Sequence, residues 1–230
     1  MKTIGLLGGM SWESTVTYYQ IINQTIQAEL GGLHSAKCLL YSVDFDQVEQ
    51  CQAAGDWARS AEILIEGAQA LWRGGADFLV ICTNTMHKVA QEITQAVPLP
   101  LLHIAQATAL ELQAAGITRV GLLGTRYTME QDFYKKVLLE GGIDVLIPSR
   151  EEIPFVHDVI YQELCRGILS DASRRGYLDI IQRLAGAGAQ GIILGCTEIG
   201  LLIHQSDTEI PIFDTTLIHA RQAACLALAP

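Results

Sequence analysis

The sequence has few positive charges, no long apolar run and no clustered cysteines. Its 15 basic residues stand against 25 acidic ones, which gives the 230-residue chain a formal net charge of −10. That balance repels phosphate backbones and anionic membrane surfaces, so we expect no nucleic-acid partner. No apolar stretch approaches the ~20 residues that a membrane-spanning helix needs, so we expect no membrane partner either.

The six cysteines are scattered along the chain. No CxxC pair occurs, and no cysteine lies with histidine at zinc-ligand spacing, so we expect no structural metal. The chain lacks the basic segment and cleavage site of a secretory signal, and we therefore expect a cytoplasmic protein with free thiols. A nucleotide site is disfavoured because residues 5–9 do not match GxGxxG and no P-loop lysine follows.

Short apolar runs that end in glycine or threonine alternate with segments of helical period. This alternation predicts βαβ units and therefore an α/β fold built on parallel sheets. The predicted strands are 2–7, 37–43, 77–82, 100–103, 119–123, 143–147, 190–195 and 210–213. The predicted helices are 14–29, 57–73, 86–96, 105–115, 129–140, 153–169 and 171–187.

The chain carries a weak internal repeat. Residues 3–8 are echoed by residues 119–124, and residues 75–83 align without gaps on residues 188–196. The offsets of 116 and 113 residues (119 − 3 and 188 − 75) are close enough for one repeated domain with small insertions. The repeat therefore predicts two similar domains.

The register of the second pair of segments bears on the chemistry. It aligns Thr83, and not the neighbouring Cys82, with Cys196. Because successive side chains of a strand point to opposite faces, we expect Cys82 and Thr83 to point in different directions. Thr83 and Cys196 are therefore predicted to hold equivalent positions.

Four polar turns follow predicted strands. Open parallel sheets bind ligands beyond the carboxyl ends of their strands, where helix N-termini present unpaired N–H groups. If two duplicated domains face one another, we expect the turns to converge on a small anionic ligand held by backbone amides and hydroxyls. The turns are Gly8-Gly9-Met10-Ser11, Thr83-Asn84-Thr85-Met86-His87, Gly124-Thr125-Arg126-Tyr127-Thr128 and Gly195-Cys196-Thr197-Glu198.

Cys196 is the predicted base or nucleophile. It lies at the start of a predicted helix beside Thr197 and Glu198, where the helix dipole favours the thiolate. A buried structural thiol is the alternative, since that is the commoner state of cysteine. Arg126 either pairs with a carboxylate or is a solvated surface residue.

Together these four turns resemble those of the aspartate/glutamate racemase family, and the resemblance covers essentially the whole chain. It implies two similar flavodoxin-like domains related by a pseudo-twofold axis, with the active site in the cleft between them. We place these domains at 1–100 with 210–230 and at 101–209. The resemblance further implies an amino-acid racemase that uses neither pyridoxal phosphate nor a metal, commonly as a homodimer.

The family uses two groups that flank the substrate α-carbon, one of which removes a proton while the other delivers one to the opposite face. Its first motif is usually Cys-Asn-Thr-x-His, and this chain has Thr83 where that cysteine belongs, with Cys82 displaced by one residue. By resemblance the catalytic residues are Thr83 and Cys196. The substrate-binding residues implied are Met10, Ser11, Gln52, Asn84, Thr85, Thr125 and Thr197.

A threonine hydroxyl is a far poorer base than a thiol, so we expect the two directions of reaction to be unequal. In related glutamate racemases the second-domain cysteine acts on the L-enantiomer, which implies a preference for L-aspartate or L-glutamate. Two other functions stay open. One is a one-cysteine isomerase or decarboxylase of a small dicarboxylic acid, and the other is a non-catalytic amino-acid-binding relative.

Overall fold

A computed structural model describes all 230 residues and contains two parallel β-sheets. The chain divides into two units, Met1–His103 with His219–Pro230 and Ile104–Ile218. Each unit holds one sheet of four strands, and in each the spatial order is second, first, third and fourth strand. This is the beginning of the flavodoxin-type order 2-1-3-4-5. The predicted α/β fold with parallel sheets is confirmed.

The first unit begins on a buried strand and alternates strands with helices. Its elements are β1 (Ile4–Gly8), α1 (Trp12–Leu30), β2 (Cys38–Ser42), α2 (Phe45–Ala54), α3 (Trp57–Arg73), β3 (Phe78–Ile81), a 3₁₀ turn (Thr85–Val89), α4 (Ala90–Ala96) and β4 (Leu101–Leu102).

None of the chain's helices combines the length and the hydropathy of a membrane-crossing segment.

The second unit repeats the alternation, and its last helix returns to the first unit from His219 onward. Its elements are α5 (Ile104–Ala114), β5 (Arg119–Gly124), α6 (Arg126–Glu130), α7 (Asp132–Glu140), β6 (Asp144–Leu146), α8 (Ile153–Gln162), a 3₁₀ turn (Leu164–Arg166), α9 (Asp171–Gly186), β7 (Ile192–Gly195), α10 (Ile199–Leu202), a 3₁₀ turn (Gln205–Asp207), β8 (Ile212–Asp214) and α11 (Thr215–Leu228).

Helices cover both faces of each sheet. In the first unit, one face packs against α1 and α11 and the other against α2, α3 and α4. In the second unit, the corresponding faces pack against α5 with α7 and against α8 with α9 and α10. The central strands β1, β3 and β7 are buried along their whole length, as expected for parallel strands with both faces covered.

All eight predicted strands are present, but two long helices were not predicted. Helix α2 begins after Asp44, whose side chain accepts from the N–H of Asp46, and it buries only Val48 and Gln52. Helix α11 packs through small residues such as Ala220 and Ala223. Neither segment shows the stripe of large apolar side chains that predicts a helix.

The second unit extends further along the chain than the predicted range 101–209. Strand β8 pairs in parallel with β7, with Ile193 opposite Phe213, and therefore belongs to the second sheet. The chain returns to the first unit only inside α11. Hydrogen bonding between strands that are distant in sequence decides this boundary.

Gly9 shapes the turn between β1 and α1. Its φ is +92°, and a Cβ built there would collide with the backbone N and O of Val43. Its N–H donates to the Thr15 hydroxyl at 2.9 Å, and that hydroxyl donates to the Ser11 carbonyl at 2.8 Å. The turn that carries Met10 and Ser11 therefore requires glycine at this position.

We expect Gly9→Ala to lower the free energy of unfolding by about 2 to 4 kcal/mol, because it adds a backbone collision to the strain of a positive φ. Gly75→Ala is the matched control, since Gly75 has φ +91° and open space around its Cα. Gly75→Ala should lower the free energy of unfolding by about 1 kcal/mol. Urea denaturation measures both, and equal losses would contradict the role given to Val43.

Candidate active site

Two of the four polar turns leave the same edge of the first sheet. Strands β1 and β3 are neighbours, and Leu7 lies opposite Ile81. The turn after Gly8 and the turn after Ile81 therefore emerge side by side. The predicted site residues in these turns are all buried; they are Met10, Ser11, Thr83, Asn84 and Thr85.

The other two turns leave the corresponding edge of the second sheet. Strands β5 and β7 are neighbours, with Leu123 opposite Leu194. Thr125, Cys196 and Thr197 follow these strands and are buried. Thr83 lies two residues beyond Ile81, and Cys196 lies two residues beyond Leu194, so the two residues hold equivalent places in their sheets.

Gln52 contacts the turn after β3. It is buried on α2, and its Nε2 lies 3.0 Å from the Sδ of Met86. The structure thus brings this predicted residue, which is 31 positions before Thr83 in the sequence, to the same part of the first unit. A side-chain amide at this place has both donors and an acceptor for a polar ligand.

Cys82 is part of the apolar core. It is completely buried with Ile4 and Val80 on the α1 face of the sheet, and its Sγ lies 3.7 Å from the Val80 carbonyl. Burial raises the pKa of the Cys82 thiol far above its ordinary range. Cys82 is therefore a neutral packing residue.

Behind Thr83 lies a cluster of three histidines, of which only His87 belongs to a predicted turn. His87 Nδ1 donates to the Thr83 carbonyl at 2.8 Å, and its ring stacks edge-on to His103 at 4.6 Å between centroids. His219 Nε2 donates to the Leu102 carbonyl at 2.9 Å, so its Nδ1 accepts from the Tyr18 hydroxyl at 2.9 Å. No three His, Cys, Asp or Glu side chains are arranged to hold a metal ion.

These imidazoles are neutral. Burial lowers the pKa of His103 and of His219 to about 4, and burial together with the neighbouring histidines lowers the pKa of His87 well below its ordinary value. A neutral His87 keeps a fixed tautomer, with its N–H on the Thr83 carbonyl. The cluster therefore holds the Thr83 turn without adding charge to it.

The cluster should make the fold sensitive to acid. Because the folded pKa of His219 lies below the unfolded value of about 6.5, its contribution to stability is intact above pH 6.5 and is lost as the pH falls toward 4. When the pH is lowered from 7 to 4.5, the free energy of unfolding should fall by about 2 kcal/mol less in His219→Gln than in the natural chain. Denaturant melts across this range measure the difference, with exposed His34→Gln as the control. Parallel curves for all three chains would refute the assignment.

In the second unit, Cys196 is hydrogen-bonded to a buried carboxylate. Its Sγ donates to Glu198 Oε2 at 2.8 Å, and the Thr197 hydroxyl donates to the same oxygen at 2.9 Å. Burial and the charge of Glu198 raise the pKa of the Cys196 thiol well above its ordinary value of 9.0. The Cys196 thiol is therefore held in its protonated form.

The prediction that a helix dipole favours the Cys196 thiolate is wrong. Helix α10 starts three residues later at Ile199 and has only four residues, so its dipole is small. Burial of the thiol, followed by the charge of the Glu198 carboxylate, raises the pKa of Cys196 instead. Glu198 belongs to one of the four predicted turns but was given no role of its own, and the signal that could have assigned one is its spacing, which lets its side chain turn back on Cys196.

Thr125 and Arg126 have different surroundings. The Thr125 hydroxyl caps α6 by accepting from the N–H of Thr128 at 3.3 Å. The Arg126 side chain is exposed. This exposure favours the solvated surface alternative for Arg126.

The pairing of Cys196 with Glu198 should be visible in solution. In the natural chain the ¹³Cβ resonance of Cys196 should show no titration until well above pH 9, and in Glu198→Gln its midpoint should move to lower pH because the opposing charge is gone. Cys82, whose pKa is raised chiefly by burial within the apolar core, is the internal reference and its resonance should be unchanged by the substitution. Titration of Cys196 near neutral pH in the natural chain would contradict this pairing.

The Asp/Glu/hydantoin racemase family model matches residues 7–223. A candidate Asp/Glu racemase of Yersinia pestis, whose structure is solved, is 55% identical over 100% of both chains, with a TM-score of 0.92. An aspartate racemase homologue of Pyrococcus horikoshii OT3 is 35% identical over 100% of both chains, with a TM-score of 0.84. The broad-specificity amino-acid racemase RacX of Bacillus subtilis is 26% identical over 236 residues, 98% of each chain.

Proposed function

Because the chain belongs to the Asp/Glu/hydantoin racemase family, we propose that it is an amino-acid racemase that acts on aspartate or glutamate without a cofactor. The full-length match to the aspartate racemase homologue supports an acidic amino acid as substrate. The buried pair of Cys196 and Glu198 is the observation that carries the proposal, because it joins a thiol to a group able to take its proton.

Racemisation begins with removal of the α-proton. That proton is very weakly acidic beside an ionised carboxylate, so the base must be a strong one in a site shielded from water. We assign this role to the Cys196 thiolate, which forms when its proton moves to Glu198 Oε2 at 2.8 Å. The thiolate then takes the α-proton, and the electron pair stays on the substrate as the carbanion.

We assign reprotonation of the opposite face to the Thr83 hydroxyl, which donates its proton to the carbanion and regains one from solvent. Thr83 holds in the first sheet the place that Cys196 holds in the second. Thr83 cannot match a thiol as a base, so abstraction from the enantiomer that faces it is slow. We therefore propose that the enzyme prefers L-aspartate or L-glutamate.

The remaining predicted residues bind the substrate. Asn84, Thr85, Thr125 and Thr197 hold the α-carboxylate and α-amino groups, which suits buried hydroxyls and an amide at the ends of parallel strands. Met10 and Ser11 line the floor of the substrate site. Gln52, whose amide contacts Met86, recognises the side-chain carboxylate.

Exchange of the α-proton in D₂O tests the mechanism, followed by ¹H NMR for each enantiomer of aspartate and glutamate. We expect faster exchange from the L-forms. Cys196→Ala should lower exchange by at least about a thousandfold, because it removes the base. Thr83→Cys should raise exchange from the D-forms, since a thiol replaces the weaker hydroxyl. Cys82→Ala is the matched control and should keep exchange within about twofold, because its thiol lies in the apolar core.

Other outcomes identify other functions. Faster exchange from the D-forms would overturn the L-preference, and loss of exchange in Cys82→Ala but not in Cys196→Ala would overturn the choice of base. Calorimetric binding of aspartate without any exchange would indicate a non-catalytic relative. A product of changed mass or absorbance would indicate the one-cysteine isomerase or decarboxylase.

A further inference from the structure

The second unit holds two cysteines in one cluster of side chains. Cys165 and Cys196 are the only cysteines of this unit, and they are 31 residues apart in the sequence (196 − 165). Cys196 is buried among apolar side chains of α8, α9 and α10, and Cys165 packs against the same cluster. Neither residue forms a disulfide in this structure. Folding therefore brings together two thiols that are distant in the sequence.

The turn that carries Cys165 also contacts the segment that follows Cys196. Cys165 is the middle residue of the 3₁₀ turn Leu164–Arg166, and Leu164 is completely buried in the cluster. The turn packs against α10, which begins three residues after Cys196. This contact places the two cysteines on adjoining segments of backbone.

The two sulfur atoms act on the same ionisations. The pKa of the Cys196 thiol is raised first by burial, next by the charge of Glu198 and then by that of Cys165. Burial and the charge of Cys196 raise the pKa of the Tyr177 phenol, and Cys165 adds to the same rise. Coulomb interactions weaken with distance, so this agreement is expected when the two sulfur atoms are neighbours.

The two thiols differ in their access to solvent. Cys196 is only 8% exposed, whereas Cys165 is half-buried, so a dissolved oxidant reaches Cys165 first. Cys196 has a proton acceptor of its own, because its Sγ donates to Glu198 Oε2 at 2.8 Å. One thiol is thus open to oxidation, and the other can lose its proton in place and attack the oxidised sulfur.

Neither cysteine lies inside an α-helix or a strand. Cys165 is in a single 3₁₀ turn that ends at Gly167, whose φ is +70°, and Cys196 lies between the end of β7 and the start of α10. A disulfide needs the two Cβ atoms about 3.5 to 4.5 Å apart. Short turns adjust to such a requirement more readily than the interior of a helix or strand.

From these observations we propose that Cys165 and Cys196 form a reversible disulfide when the protein meets a hydroperoxide, and that this bond switches off Cys196 as a base. Formation of the disulfide is independent of the proposed activity. The loss of activity rests on the proposed function.

The chemistry balances with one hydroperoxide. The Cys165 thiolate attacks one peroxide oxygen, the O–O bond breaks, and the other oxygen leaves and takes a proton to become water or an alcohol. This step oxidises the sulfur to a sulfenic acid. Cys196 then passes its proton to Glu198, and its sulfur attacks that of Cys165. The S–O bond breaks as the S–S bond forms, and the departing hydroxide takes the proton from Glu198 as water.

The disulfide has two consequences for Cys196. Its sulfur is bonded to another sulfur and cannot accept the α-proton of a substrate. It is also protected, because a thiol without a partner is oxidised further to a sulfinic acid, which thiols do not reduce. Reduction by a dithiol returns both thiols and therefore the base.

Peptide mapping after oxidation tests the disulfide. Trypsin cuts after lysine and arginine, so it places Cys165 in fragment 151–166 and Cys196 in fragment 184–221, with one cysteine in each. After treatment of the natural chain with hydrogen peroxide and alkylation of the remaining thiols, we expect the two fragments to be joined, with a mass two hydrogen atoms below their sum. Dithiothreitol should separate them.

Exchange of the substrate α-proton in D₂O tests the switch, with each rate taken relative to the same chain before treatment. Peroxide should lower exchange by the natural chain at least about tenfold, and dithiothreitol should restore it to within about twofold. In Cys165→Ser the loss should persist after dithiothreitol, because Cys196 has no partner. Cys51→Ser is the matched control and should behave as the natural chain, since Cys51 is half-buried as well but lies in the first unit.

Three results would overturn the proposal. They are a sulfinic acid at Cys196 of the natural chain with no joined fragments, a bond from Cys165 to Cys51 or Cys225 instead, and undiminished exchange by a chain whose fragments are joined. A reduced chain that exchanges no α-proton would overturn the proposed function, and peptide mapping would still decide whether the disulfide forms. Circular dichroism checks that both variants fold.

Discussion

Parallel pairing of the two central strands in each sheet is the constraint on which the rest of the structure depends. It buries β1 with β3 in the first unit and β5 with β7 in the second, and it brings the turns after both strands to one edge. Because parallel strands all run the same way, the polar residues that follow them collect at that edge. This pairing gives Thr83 and Cys196 their equivalent places after β3 and β7.

The groups that contact Thr83 and Cys196 differ in charge. Thr83 is backed by neutral imidazoles, because burial keeps His87, His103 and His219 unprotonated at physiological pH. Cys196 donates a hydrogen bond to the buried carboxylate of Glu198. The neutral surroundings of Thr83 and the carboxylate beside Cys196 form the physical basis of the unequal directions of racemisation that we propose.

The two sheets also protect their edges differently. In the second sheet, edge strand β6 begins with the exposed Asp144, which forms an ion pair at 3.4 Å with Arg119 on the neighbouring strand. Charge at an edge strand discourages association. In the first sheet, edge strand β2 presents Leu40 and Cys38 beside an apolar helix stripe instead. The equivalent edge strands β2 and β6 of the two sheets therefore differ, since β6 carries an ion pair and β2 exposes the apolar side chain of Leu40.

Sequence alone predicted all eight strands, most helices and the alignment of Thr83 with Cys196, because hydrophobic period and an internal repeat are local properties of the chain. It did not predict α2 or α11, whose buried faces are small or sparse, and it assigned β8 to the wrong domain. The sequence also led to the wrong direction for the pKa shift of Cys196. A thiol's pKa depends on how deeply it is buried, and only the tertiary structure buries Cys196 with Glu198 and brings the three imidazoles behind Thr83.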